Sequence, residues 1–124
     1  MENEAVKPVI LAIDDNPSIL KSINFFLRDD YTVSTLPEPT KILDLLAMIT
    51  PDLFILDCNM PELDGFDLVP IIRSQPGHED TPIIFLTGEG TQKNLTDAMQ
   101  LGASDFLVKP IDENLLREKV AKYI

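Results

Sequence analysis

Four short strand-like runs in this chain end in residues that could do chemistry. Val9–Ile13 leads into Asp14-Asp15, Leu53–Leu56 into Asp57, Ile83–Leu86 into Thr87-Gly88, and Ser104–Val108 into Lys109-Pro110. Three carboxylates brought to one place repel each other and raise one another's pKa. A hard divalent cation relieves that repulsion by taking oxygen ligands, and Mg²⁺ in such a site usually keeps several waters. Lys109 adds a compact positive charge, and Thr87 a hydroxyl that can donate to an incoming anionic oxygen. A carboxylate nucleophile, a metal, a cation and a donor are the parts needed for phosphoryl transfer onto an aspartate. Asp14 and Asp15 are adjacent and suit metal binding, one of them through water. Asp57 stands alone between an apolar strand and a loop and is the expected acceptor.

The elements that must position these residues alternate between two hydrophobic periods. Val9–Ile13 is a continuous apolar run, as expected of a buried parallel strand. Asn16-Pro17 then supplies an N-cap and a proline at the first helical position. Behind them Ile19, Leu20, Ile23, Phe26 and Leu27 form one helical stripe. Further strands are predicted over Tyr31–Thr35, Leu53–Leu56, Ile83–Leu86 and Ser104–Val108. Further helices are predicted over Thr40–Ile49, from Asp64 or Gly65 to Ser74, over Gln92–Leu101 with Thr91 as cap and Gly102 as stop, and over Asp112–Tyr123. Strict alternation of strand and helix implies a (βα)₅ α/β chain, with a parallel sheet covered on both faces by right-handed crossovers. Ligands of such doubly wound sheets lie beyond the carboxyl ends of the strands, where the polar residues above fall.

Composition removes several other classes. The 124 residues make one domain, a short lead-in over 1–8 followed by a domain over 9–124. Lys and Arg total 10 against 21 Asp and Glu, a net charge of −11. That charge repels nucleic acid and anionic membranes, so neither is an expected partner. The 44% hydrophobic content is enough for a packed core. No apolar run approaches the roughly 20 residues of a membrane span. The acidic opening, Met1-Glu-Asn-Glu, has no export-signal pattern, and Cys58 is a lone cysteine, so a reducing cytoplasm is the expected compartment. One histidine and one cysteine leave no zinc set, and any metal must be held by carboxylates.

The chain resembles the receiver domain of two-component response regulators. The matching segments are Ile13-Asp14-Asp15-Asn16-Pro17, Asp57-Cys-Asn-Met60-Pro61-Glu-Leu-Asp64-Gly65, Phe85-Leu-Thr87-Gly88 and Gly102-Ala103-Ser-Asp105-Phe106-Leu-Val-Lys109-Pro110. They run in the expected order along essentially the whole chain. The resemblance implies a flavodoxin-like three-layer sandwich with strand order 2-1-3-4-5. It implies that Asp57 takes a phosphoryl group from the phosphohistidine of a sensor histidine kinase or phosphotransfer protein. Mg²⁺, or Mn²⁺ in its place, would be held by Asp15, Asp57 and the backbone carbonyl of Asn59, with Asp14 acting through water. Lys109 would pair with the acceptor and later the phosphate. Thr87 would move to the phosphoryl oxygens and Phe106 would turn inward behind it. The face of the fourth helix, fifth strand and fifth helix would then change, to be read by an output domain or effector or used in a homodimer. Met60, Gly88 and Glu89 would flank the phosphate, Asn59 and Glu89 would influence attack by water, and the bond before Pro110 would be cis. Gly88 stands where alanine is more usual, and Phe106 where tyrosine is common.

Other residues read more plainly. Cys58 has no basic neighbour in sequence to lower its pKa. His78, in a polar turn, is expected at the surface, and Met48, Met60 and Met99 are expected to pack. Phe25 lies opposite the apolar stripe of its helix, on the side of Ser18 and Ser22. It is either a single surface aromatic or a docking contact for a kinase helix bundle. Two other functions compete. An aspartate-nucleophile phosphatase would want an acid two residues after the nucleophile, where this chain has Asn59. A receiver that never takes phosphate would serve as an interaction module alone. A flavin carrier is excluded, because Asp14-Asp15 would repel its phosphate.

Overall fold

A computed structural model of the chain describes residues 6–88, 96, 97 and 99–124. Five strands, β1 (Val9–Ile13), β2 (Thr32–Leu36), β3 (Leu53–Asp57), β4 (Ile83–Thr87) and β5 (Asp105–Val108), form one parallel sheet in the order β2-β1-β3-β4-β5. The helices are α1 (Pro17–Leu27), α2 (Ile42–Leu46), α3 (Gly65–Arg73) and a C-terminal helix, Glu113–Tyr123. None of the helices described is long and apolar enough to cross a membrane.

Alternate strand residues feed two separate cores. Leu11, Ile13, Phe54, Leu56, Ile83 and Phe85 pack with α2 and α3 on one face. Ile10, Ala12, Leu53, Ile55, Ile84 and Leu86 pack with α1 and the C-terminal helix on the other. All five residues of β3 and of β4 are buried, as the period of two demands of strands covered on both sides. The α1 stripe behaves as its spacing predicts, with Leu20, Ile23 and Leu27 buried. Asn16 Oδ1 accepts from the Ser18 amide at 2.9 Å to cap that helix, and Asp64 and Asp67 exchange side chains and amides in a capping box on α3.

Several expectations need correction. The helix predicted over Thr40–Ile49 is a 3₁₀ turn at Pro39–Lys41 followed by a single α-helical stretch, α2. Proline at position 39 starts the turn, and Pro51 lies too close behind for the helix to run on. His78 is buried, not exposed: its ring lies edge-on to Phe54, with centroids 5.3 Å apart, and Nδ1 meets Thr81 Oγ1 at 2.7 Å. Met60 packs as expected, but Met48 is 81% and Met99 46% exposed. The remaining strand and helix ends differ from prediction by one residue or so. The cap Thr91, the residue Glu89 and much of the helix predicted over Gln92–Leu101 lie outside the described residues. At its end the Leu101 amide donates to Asp97 O at 3.0 Å, and Gly102 takes φ +109°. That is the left-handed conformation a helix stop requires.

Candidate functional site

The sheet order sets β1 and β4 on either side of β3, so the polar residues after β1, at the ends of β3 and β4, and after β5 share one edge. Asp14 follows β1 and is fully buried. Its amide donates to Leu36 O, and its Oδ1 accepts from the Asn16 amide at 2.9 Å. The turn that starts α1 therefore also fixes this carboxylate. Asp57 closes β3 and is 3% exposed; its Oδ1 accepts from the Asn59 amide at 3.2 Å. Asp15 is exposed beside them. One oxygen from each of Asp14, Asp15 and Asp57 can be chosen so that all lie within 4.8 Å of one another.

Lys109 reaches the same cluster from the end of β5. Its Nζ lies 3.0 Å from Asp14 Oδ2 and 3.2 Å from Asp57 Oδ1. Its amide donates to Thr87 O at 2.8 Å, so the lysine and the buried threonine are held side by side by the backbone. The Lys109-Pro110 bond is cis. Gly65, the first residue of α3, packs directly against Asp57. A methyl group there would come within 2.5 Å of Asp57 O and 2.7 Å of the Phe85 ring. At Gly88 no described residue comes within 4 Å of the equivalent position. Met60 is buried next to the loop, while Asn59 and Gly88 are exposed. Phe106 is half-buried on β5, under the ammonium of Lys119 at 5.2 Å from its ring centroid.

The electrostatics are unbalanced. Three carboxylates and one ammonium leave two uncompensated negative charges if all four are ionised. Burial and the nearby Asp14 charge hold the Asp57 carboxyl above its ordinary range, against the pull of the Asn59 amide and Lys109. Burial alone would lower the Lys109 pKa, but its contacts with Asp14 and Asp57 outweigh that and raise it. Among the described residues Asp14 Oδ2 is buried without a hydrogen bond, and the Lys109 ammonium faces it at 3.0 Å. A buried oxygen without a hydrogen bond, in an all-oxygen donor set with a twofold negative excess, fits one hard divalent cation.

Two features of this neighbourhood escaped the sequence reading. Cys58 is buried, and its thiol is pushed up to about 12 by burial and by the charges of Asp57 and Asp64, so it stays protonated. Asp105, at the start of β5, gathers Lys119, Lys122 and Tyr123 from the C-terminal helix. Residues 14 or more positions apart leave no periodic signal for such a cluster.

Residues 10–121 match the response regulator receiver domain family. An uncharacterised 14.6 kDa protein of Leptolyngbya boryana is 35% identical over 115 residues, 92% of this chain and 88% of that protein. The chain spans less than half the length of other curated relatives it matches. The chemotaxis protein CheY4 of Vibrio cholerae superposes with a TM-score of 0.91 at 30% identity, over 96% of this chain and 100% of that one. The receiver domain of the sensor histidine kinase PA1611 from Pseudomonas aeruginosa, solved with a magnesium ion coordinated in its active site cleft, gives 0.84 at 28% identity over 95% of this chain and 98% of that one. The acidic strand-end cluster thus sits on a fold shared with these proteins along nearly its whole length, and the chain belongs to the response regulator receiver domains of two-component systems.

Proposed function

We propose that this receiver accepts a phosphoryl group on Asp57 from the phosphohistidine of a sensor histidine kinase or a phosphotransfer protein, with Mg²⁺ or Mn²⁺ bound beside it. The observation that carries the reading is the Lys109 ammonium bridging Asp14 at 3.0 Å and Asp57 at 3.2 Å within a cluster of three carboxylates. Asp15, Asp57 and the backbone carbonyl of Asn59 would hold the cation, with Asp14 acting through water. When bound, the cation supplies positive charge that offsets the carboxylates and the incoming phosphoryl oxygens.

The chain's own residues do the rest. A carboxylate oxygen of Asp57 forms the new P–O bond as the P–N bond to the donor imidazole breaks, and the imidazole leaves with its electron pair and takes up a proton. Lys109 is fixed where negative charge gathers, which favours the transition state over the separated reactants. Thr87 stands at the end of the neighbouring strand, where its hydroxyl would turn to the phosphoryl oxygens, and the small Gly88 beside it adds no side chain to crowd them. Movement of Thr87 and an inward turn of Phe106 would bias a two-state equilibrium of the β5 and C-terminal helix face. An output domain or effector would read that face, and a homodimer could form through it. The expected setting is the cytoplasm.

Intact mass after incubation with Mg²⁺ and acetyl phosphate tests this directly. The wild type should gain one phosphoryl mass, and Asp57→Asn should gain none. Gain by both proteins overturns the choice of nucleophile. Gain by neither, with a cognate kinase also failing, turns the reading to a phosphate-independent interaction module.

Phe25 bears on the donor. It is 60% exposed on α1, with the Arg28 guanidinium 5.1 Å from its ring centroid. As a docking contact it predicts that Phe25→Ala slows transfer from a cognate kinase several-fold and leaves the acetyl phosphate rate unchanged. Equal slowing of both would show that the ring acts on the fold instead.

A further inference from the structure

The second aspartate–lysine pair of the molecule lies against the proposed switch aromatic. Asp105 Oδ1 accepts from Lys119 Nζ at 2.7 Å and from the Phe106 amide at 2.8 Å. Its Oδ2 has Tyr123 Oη at 3.3 Å and Lys122 Nζ at 3.8 Å. The Tyr123 hydroxyl also reaches Ser104 O at 2.9 Å. Two close donors on Oδ1, with a phenol hydrogen shared with Ser104 O and a second ammonium at longer range on Oδ2, leave Asp105 little freedom, and Lys119 inherits that restraint. The lysine side chain is only 20% exposed, unusual for a residue on an outer helix, and its Nζ lies 5.2 Å from the Phe106 ring centroid. An ammonium at that distance is drawn to the negative face of an aromatic ring. The ring itself is half-buried, between the core packed under α3 and the C-terminal helix.

We propose that Lys119 is a positioning residue for the switch: oriented by Asp105, its ammonium holds the Phe106 ring in the arrangement seen here and so opposes the phosphorylated arrangement. The inference rests on the reading that Phe106 moves when Asp57 is phosphorylated, and it adds what sets the balance between the two positions. A contact made in one state and lost in the other shifts the equilibrium by its own factor. For a partly exposed ammonium on an aromatic face, that factor is about two to five. The basal balance of this receiver is then set on the C-terminal helix, away from the phosphoryl site. Lys119→Gln removes the ammonium and should release the ring. Lys119→Arg keeps a cation that pairs with both carboxylate and ring, and should preserve the restraint.

The test uses beryllium fluoride with Mg²⁺ as a phosphoryl mimic on the full chain, with affinity read by calorimetry and the ring followed by the resonance of a fluorinated phenylalanine at position 106. Lys119→Gln should tighten binding about two- to fivefold and move the unliganded resonance toward its saturated position. Lys119→Arg should match the wild type. In a Phe106→Leu background, Lys119→Gln should change the affinity no further. Unchanged affinity in Lys119→Gln, or a change that persists without the Phe106 ring, overturns the proposal. A Phe106 resonance that does not move when the wild type is saturated overturns the switch reading beneath it as well, so the two failures are told apart.

Discussion

Two aspartate–lysine pairs lie toward opposite ends of the sheet, and their carboxylates are driven in opposite directions. Asp57, beside Lys109 at the strand C-termini, is held above the ordinary carboxylate range by burial and by Asp14. Asp105, beside Lys119 at the start of β5, is held below it. Burial pushes Asp105 up too, but the Lys119 hydrogen bond, the Phe106 amide and two lysine charges outweigh it. Both pairs are in ion-pair contact, at 3.2 Å for Asp57 and a shorter 2.7 Å for Asp105. What differs is the supply of partners. Around Asp57 three carboxylates share one ammonium; around Asp105 one carboxylate is shared by two ammoniums, a phenol and an amide. An ion pair by itself therefore says little about purpose. The first cluster is left short of positive charge, which suits a divalent cation; the second is complete and ties a strand to a helix.

Removing one partner from each cluster should separate them most strongly. Lys109→Met leaves Asp14 and Asp57 buried without a counter-charge and should cost about 3–5 kcal/mol of stability in chelator at neutral pH. Saturating Mg²⁺ should return part of it. A loss under 1 kcal/mol, or one insensitive to Mg²⁺, would mean the carboxylates are already neutral in the folded protein.

Asp105→Asn should cost about 1.5–3 kcal/mol at neutral pH, the scale of hydrogen bonds to a charged group. The sign follows from the depressed pKa. The carboxylate stabilises the fold above the unfolded value and loses that contribution as pH falls through the lower folded value. Denaturant titrations of wild type and variant should converge in acid, whereas a constant gap would assign the loss to packing.

Asp57→Asn should show the smallest stability change and the reverse sign. A raised pKa means that the folded state binds the proton more tightly, so stability is fullest below the unfolded value and declines as pH rises through the folded one. In chelator the variant should be more stable than wild type at neutral pH, because the amide carries no buried charge. The advantage should vanish in acid and reverse with Mg²⁺, as thermal melts at several pH values would show.

The contrast between the clusters also marks how much the sequence could tell. Strands buried on both faces must be apolar throughout, so Asp14, Asp57, Thr87 and Lys109 stand out where the runs end. Alternation of strand and helix then gathers those ends at one edge, and both the fold and the candidate site were legible from that pattern. Asp105 and Lys119 are 14 positions apart, on elements that meet only through tertiary packing, and neither breaks a period. His78 was misread for a related reason. Its neighbours Gln75-Pro-Gly and Glu-Asp-Thr-Pro are turn formers, yet a single ring from such a turn can tuck against Phe54 while Thr81 meets its nitrogen. Met48 shows the converse, an apolar side chain left outside because α2 ends two residues earlier.

Gly65 gives Asp57 a close backing. With no side chain between them, the first turn of α3 bears on the carbonyl of Asp57 and on the Phe85 ring, and β3 runs back from there through five buried residues. The backbone at Asp57 is thus packed against α3 on one side and buried along its strand, with little room to shift. β5 differs: it lies at the end of the sheet order, and of its four residues only Leu107 is buried among the described residues. A side chain placed at position 65 would act as a wedge, driven between strand and helix directly behind the Asp57 carboxylate.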